Sequence, residues 1–273
     1  MATPAALPEI HEADAPDHIR VIYEEIKEAT ELPLVNLIYR HFAAEPGVLD
    51  WVWRTLAPLY RSVELKEAAR ALTDGIERPG PSPLVAAVTG DDLVQCKLVV
   101  DAYNSGNTQN LIGLTSLVRL LRAEAGAGGQ STSLTPRKQT GAVPVNVPFP
   151  PIVRRDTLDA SSAKLVEALG ARHRVAEGAV PSLYLHLANW PAALEAANVY
   201  LAPIIEAAGW RTLVDSVVQE ATATADGLAL ATSLAPDPPP AEVRKRLTDT
   251  VETFVGATIP EMVVVGRLLE IRH

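Results

Sequence analysis

Asp101-Ala102-Tyr103-Asn104-Ser105-Gly106-Asn107-Thr108-Gln109-Asn110 is the stretch on which the fold turns. It interrupts a long apolar helical pattern with three asparagines and a glycine, then hands over to a second apolar pattern over residues 111–121. Asparagine and glycine are poor helix formers, so setting them between two good helices costs stability that a bland connector would not lose. Either the stretch is an ordinary turn, or its amides face something. The spacing predicts a helix pair over 91–102 and 107–122, with Asp91 and Asp92 as N-terminal caps and the quoted residues as the joint.

Outward from the joint, the first half reads as a series of helices. Ile19, Ile22, Tyr23 and Ile26 recur at helical spacing after Pro16 and define an amphipathic helix ending near Thr30. Pro33 opens a second helix over 34–43, Pro46-Gly47 breaks the chain, and helices over 48–60 and 64–76 follow, closed by the loop 78–81. From Glu124 to Pro151 the composition shifts to glycine, serine and scattered proline, which cannot bury enough apolar surface to offset ordering entropy, so residues 124–151 read as a linker. Residues 1–123 and 152–273 are then two helical units, packed as one globular body.

The two units resemble each other. At an offset of 145, Tyr39 falls on Tyr184, His41 on His186, Pro46 on Pro191 and Leu56-Ala57-Pro58 on Leu201-Ala202-Pro203; near the ends, Arg119-Leu120-Leu121 falls on Arg267-Leu268-Leu269 and Gly106 on Gly256. The expectation is an all-α fold of two fused repeats about a pseudo-two-fold axis, with any pocket where equivalent helices meet. The quoted stretch then faces Thr253-Phe254-Val255-Gly256-Ala257.

Composition narrows the partners. A formal charge of -9 argues against nucleic acid and against an anionic membrane surface, and no run of about 18 apolar residues spans a bilayer. The opening residues carry neither basic start nor apolar core, so no secretory signal is read. Cys96 is alone, which excludes an internal disulfide and a thiolate cluster. The histidines have no metal-site spacing, and there is no GxSxG elbow or phosphate-binding glycine loop. A cytoplasmic protein without metal or cofactor, acting on a small molecule, is the expectation, with a homodimer left open.

Three segments, Tyr103-Asn104-Ser105-Gly106-Asn107, residues 32–47 with Trp53-Arg54 beyond, and Leu187-Ala188-Asn189-Trp190-Pro191 with Leu201-Ala202-Pro203, keep their order across the chain. In this set the sequence resembles the group I 2-haloacid dehalogenases, hydrolases of small 2-halocarboxylic acids. The resemblance implies an all-helical fold of two fused repeats, no cofactor, and direct attack of water on the halogen-bearing carbon. A carboxylate acts there as base and an asparagine holds the water. Asn107 falls on that asparagine. The aspartate position, just after Pro181-Ser182, is Leu183, which can neither accept a proton nor orient water. Leu34 and Leu37 stand where the family carries aromatic rings, and Asn36 replaces a small apolar residue.

The candidate site is therefore catalytic Asn107, with Leu34, Asn36, Leu37, Asn104 and Asn110 from the first half and Ser182, Leu183, Tyr184 and Phe254 from the second binding substrate. Each has a plainer reading: Asn107 caps a helix, Asn104 turns beside Gly106, and Tyr184 is a packing residue with its repeat partner Tyr39. His186, three residues after Leu183, and Asp101, before the amides, are the groups placed to replace the base. The His41 partner of His186 favours a structural role. Two functions stay open: hydrolysis next to a carboxylate, or a diverged protein that transforms or binds a more apolar small molecule.

Overall fold

The computed structural model describes residues 7–123, 134–137, 148–175 and 180–272. The fold is all-α. Among the described residues the only extended pairing is an isolated bridge between Ser62 and Pro136.

The first half comprises α1 (Asp17–Thr30), α2 (Leu37–Ala43), α3 (Val48–Tyr60), α4 (Val63–Gly75), the short α5 (Leu84–Ala87) and α6 (Gly90–Ala123). The second comprises α7 (Ala160–Gly170), α8 (Ser182–Leu187), α9 (Pro191–Ile205), α10 (Gly209–Ala229), α11 (Ala241–Thr253) and α12 (Ile259–Leu269), with a π-helical turn, Phe254–Thr258, joining the last two. α1 buries Ile19, Tyr23, Ile26 and Ala29 and stops at Glu31, whose φ of 58° is left-handed.

The predicted joint does not exist. Residues 91–122 lie inside one helix of 34 residues, about 50 Å long, in which Asp91 and Asp92 occupy the first turn instead of capping it. Propensity lost because packing supplied more: α6 packs against α3 and α4 of the first half and α10, α11 and α12 of the second, and nearly every residue from Ala102 to Val118 is buried. Its glycines serve close approach. A Cβ at Gly106 would stand 2.7 Å from Leu32 Cδ1, and one at Gly113 would stand 2.7 Å from the Tyr60 hydroxyl and 2.8 Å from its ring.

The second helix also starts later than predicted, at Leu37, because side chains capture the Val35 backbone. Glu12 Oε1 accepts from the Val35 N–H at 2.8 Å and Arg40 Nη1 donates to the Val35 carbonyl. Most of the predicted linker lies outside the described residues. Residues 134–137 dock on the first half, with Arg137 N–H donating to the Arg61 carbonyl at 2.8 Å and Arg137 Nη2 to the Ala29 carbonyl at 3.0 Å. The signal reading falls on residues 1–6, also outside the described residues. No helix among those described is long and apolar enough to cross a membrane.

Candidate functional site

α6 makes the polar wall of a cavity between the two halves. A continuous helix puts Tyr103, Asn107 and Asn110 on one face, at i, i+4 and i+7, and all three line the cavity. Opposite them the π-helical turn and α12 supply Phe254, Thr258, Ile259 and Met262. Residues 36–38 and 181–183 close the sides. The cavity is about 50 Å³, room for water, and is partly open to solvent. Leu37 and Ser182 are also walls of an outer cavity of about 230 Å³ that includes Arg40, Arg154 and Arg155.

Of the sequence candidates, Asn36, Leu37, Asn107, Asn110, Ser182, Leu183 and Phe254 meet at this cavity. Leu34, Asn104 and Tyr184 are not on its wall. Leu34 is core. Asn104 is turned about 90° around α6 from the lining face, because residues advance about 100° each. Its Oδ1 would sit 2.2 Å from a Cβ at Gly266, so that glycine lets α6 and α12 meet. The Tyr184 hydroxyl is taken by His173 Nε2 at 2.6 Å. Asp101 lies on a different groove, beside Lys97 at 2.6 Å.

The helix-capping alternative for Asn107 disappears with the joint, since the residue is mid-helix. Among the described residues its side-chain amide bonds to no protein group. Asn110 is oriented by Tyr60, whose hydroxyl donates to its Oδ1 at 2.8 Å, leaving its NH₂ to the cavity. Asn36 is 6% exposed and its Oδ1 has no partner, an arrangement that costs about 1–3 kcal/mol unless something fills it. Ser182 Oγ receives a long hydrogen bond, 3.4 Å, from Arg40 Nη2, and Arg40 is itself buried and paired with Glu9 at 2.6 Å.

No carboxylate or imidazole is on the cavity wall among the described residues. Leu183 is 1% exposed. His186 lies directly behind the wall: its Nδ1 is 3.0 Å from the Tyr103 hydroxyl and its Nε2 is 2.8 Å from the Pro150 carbonyl. The carbonyl can only accept, so Nε2 carries the proton and Nδ1 accepts from the phenol. Burial lowers the imidazole pKa and the Arg40 charge lowers it further, against the Pro150 bond, which raises it. Burial pushes the Tyr103 phenol up, opposed by Arg40 and by a hydrogen bond with Ser182.

Tyr103, Thr258 and Met262 belong to the site and escaped the sequence reading. The signal was present as helical spacing through 103, 107 and 110, but the stretch was read as a joint. A buried charge cluster was missed as well. Glu261, at the start of α12, takes His173 Nδ1 at 2.9 Å, Arg174 Nε at 3.0 Å and Arg211 Nη1 at 3.2 Å. Burial pushes the Glu261 carboxyl up, but the His173 and Arg174 hydrogen bonds prevail and hold it below its ordinary value. The cluster pins α12 behind the cavity.

No family model and no curated protein matches the sequence. Solved structures do. A D-2-haloacid dehalogenase in complex with L-LA superposes with a TM-score of 0.81 at 18% identity, covering 99% of this chain and 97% of that one. A mutant of D-2-haloacid dehalogenase gives 0.80, and a mutant complex with D-2-CPA gives 0.78, at the same identity and coverage. Over essentially its whole length, the chain has the fold of the D-2-haloacid dehalogenase structures.

Proposed function

We propose that the chain hydrolyses a small 2-halocarboxylic acid, with water held by Asn107 attacking the carbon next to the carboxylate. The observation that carries this is the unpartnered Asn107 amide on a cavity walled by Leu37, Leu183, Phe254 and Met262, in a fold shared end to end with D-2-haloacid dehalogenase structures. The apolar walls around the amides suit a small acid with a short carbon chain. The amide NH₂ of Asn110 offers a donor to a carboxylate or a departing halide, and the Arg40 charge behind Ser182 favours an anion there.

Halide release from each enantiomer of 2-chloropropionate tests the reading. The wild type should release halide above the uncatalysed rate, and Asn107→Ala should lower kcat about 100-fold, the usual loss for one positioned hydrogen-bonding group. No release at high enzyme concentration from pH 6 to 10 would sink it.

A second reading, a protein that binds a small acid without hydrolysing it, is favoured by the missing carboxylate and by Leu183. Leu183→Asp separates the two. If the wild type is inactive and the folded variant gains halide release, the cavity is a dehalogenase site without its base.

A further inference from the structure

Direct hydrolysis needs a group to take the proton of water, and among the described residues the cavity wall has none of the usual ones. His186 is one hydroxyl away. Tyr103 lines the cavity on the same face as Asn107 and Asn110, and its hydroxyl proton is directed at His186 Nδ1, 3.0 Å away. With its hydrogen so committed and one lone pair engaged by the Ser182 hydroxyl, the phenol keeps its other lone pair for whatever occupies the cavity.

Comparison with His41 separates the structural duty of His186 from what is left over. His41 Nδ1 holds the Pro8 carbonyl at 2.7 Å, as His186 Nε2 holds the Pro150 carbonyl at 2.8 Å. Each histidine thus tethers an extended segment by one nitrogen. Of the two, His186 directs its second nitrogen at the hydroxyl of a cavity-lining residue, between edge-on contacts from Tyr103 and Phe149 with ring centroids 5.7 and 5.1 Å away. The Pro150 carbonyl fixes the tautomer and can stabilise the imidazolium that proton uptake would create.

We propose that Tyr103 and His186 are the acid–base pair of this cavity, Tyr103 acting on the bound water and His186 taking the proton from Tyr103. The step rests on the hydrolytic reading above. Water gives a proton to Tyr103 Oη as Tyr103 gives its own to His186 Nδ1. The water oxygen bonds to the substrate carbon, and the halide leaves with the electron pair of the breaking bond. His186 then returns its proton to solvent, so that each turnover releases one 2-hydroxy acid, one halide and one proton.

The groups facing His186 are Tyr103 on α6, Arg40 on α2 with its partner Glu9, and Pro150. Since burial and Arg40 disfavour the imidazolium, kcat should rise with pH below 6.5 and level off above it.

The test uses the full chain as wild type, Tyr103→Phe and His186→Gln, the glutamine keeping a donor for Pro150. With 2-chloropropionate, each variant should lose about 100-fold in kcat with KM nearly unchanged, and the double variant no more than either single one. The acidic limb should vanish in His186→Gln. A Tyr103→Phe variant within threefold of wild type, or an acidic limb that persists, overturns the proposal.

A second probe does not depend on the substrate. Methanesulfonyl fluoride should sulfonylate the Tyr103 phenol, replacing its hydrogen and releasing fluoride, with the proton leaving through His186. A mass increase located on Tyr103, absent in Tyr103→Phe and at least tenfold slower in His186→Gln, supports the pair even if no halide is released, in which case only the hydrolytic reading fails. An unlabelled Tyr103, or labelling indifferent to His186, overturns the pair.

Discussion

Single side chains here do work that their chemical type does not announce. Asn110 faces the cavity with its NH₂ because Tyr60 has taken its oxygen. Removing the Tyr60 hydroxyl by Tyr60→Phe should cost about 1 kcal/mol and, by freeing the amide to flip, raise the KM for 2-chloropropionate; urea unfolding and initial rates measure the two effects. Glu261 is a carboxylate with no exposed side-chain surface, compensated by one imidazole and two half-exposed guanidiniums. Glu261→Gln leaves those cations without their counter-charge and should cost on the order of 3 kcal/mol in urea unfolding at pH 7. A loss under 1 kcal/mol would mean that solvent already screens the cluster.

At the scale of elements, α6 decides the site. Its polar residues are tolerated because other elements press on them, and its glycines set how near those elements come. Gly113→Ala would drive a methyl into the Tyr60 ring, which is fully buried and cannot swing aside. An overpacking cost of about 2 kcal/mol is expected, or a fall of about 3–4 °C in Tm for a chain of this size, with weakened substrate binding because Tyr60 holds Asn110. An unchanged Tm would show that α3 has slack against α6. The π-helical turn acts across from it. Its extra residue per turn breaks the register between α11 and α12 where Phe254 and Thr258 reach the cavity, a common use of such turns at functional sites.

For the whole molecule, acid should act in two stages. The His186 pKa is lowered in the folded chain, so below pH 6.5 the unfolded chain binds a proton that the folded one refuses, and stability falls as pH drops toward the folded value. Glu261 is also lowered, from an ordinary carboxylate value; its contribution is intact above pH 4.5 and is lost as pH falls through the folded pKa. Urea midpoints between pH 4 and 8 should decline first below 6.5 and again below 4.5, and His186→Gln should remove the first decline alone. A midpoint flat from pH 8 to 5 would contradict the buried neutral imidazole.

Much of this molecule is present in its sequence. Helical periodicity through Ile19, Tyr23 and Ile26, prolines and glycines at the breaks, and the absence of alternating strands determine an all-α chain, since those signals act within a turn or two of their own position. Asn36 could be marked from the chain as an amide on an otherwise apolar face, and Asn107, Ser182 and Leu183 through the resemblance to the 2-haloacid dehalogenases. What only tertiary structure decided is the course of residues 101–110 and, with it, the face that Tyr103 shares with Asn107. Local propensity favoured a break there by roughly 1 kcal/mol per glycine or asparagine at most, and burial of α6 against helices from both halves exceeded that sum. His186 behind Tyr103, and Glu261 against His173, are contacts across more than eighty residues. Nothing in one turn of sequence encodes such a contact, because the free energy that makes it belongs to the packed core.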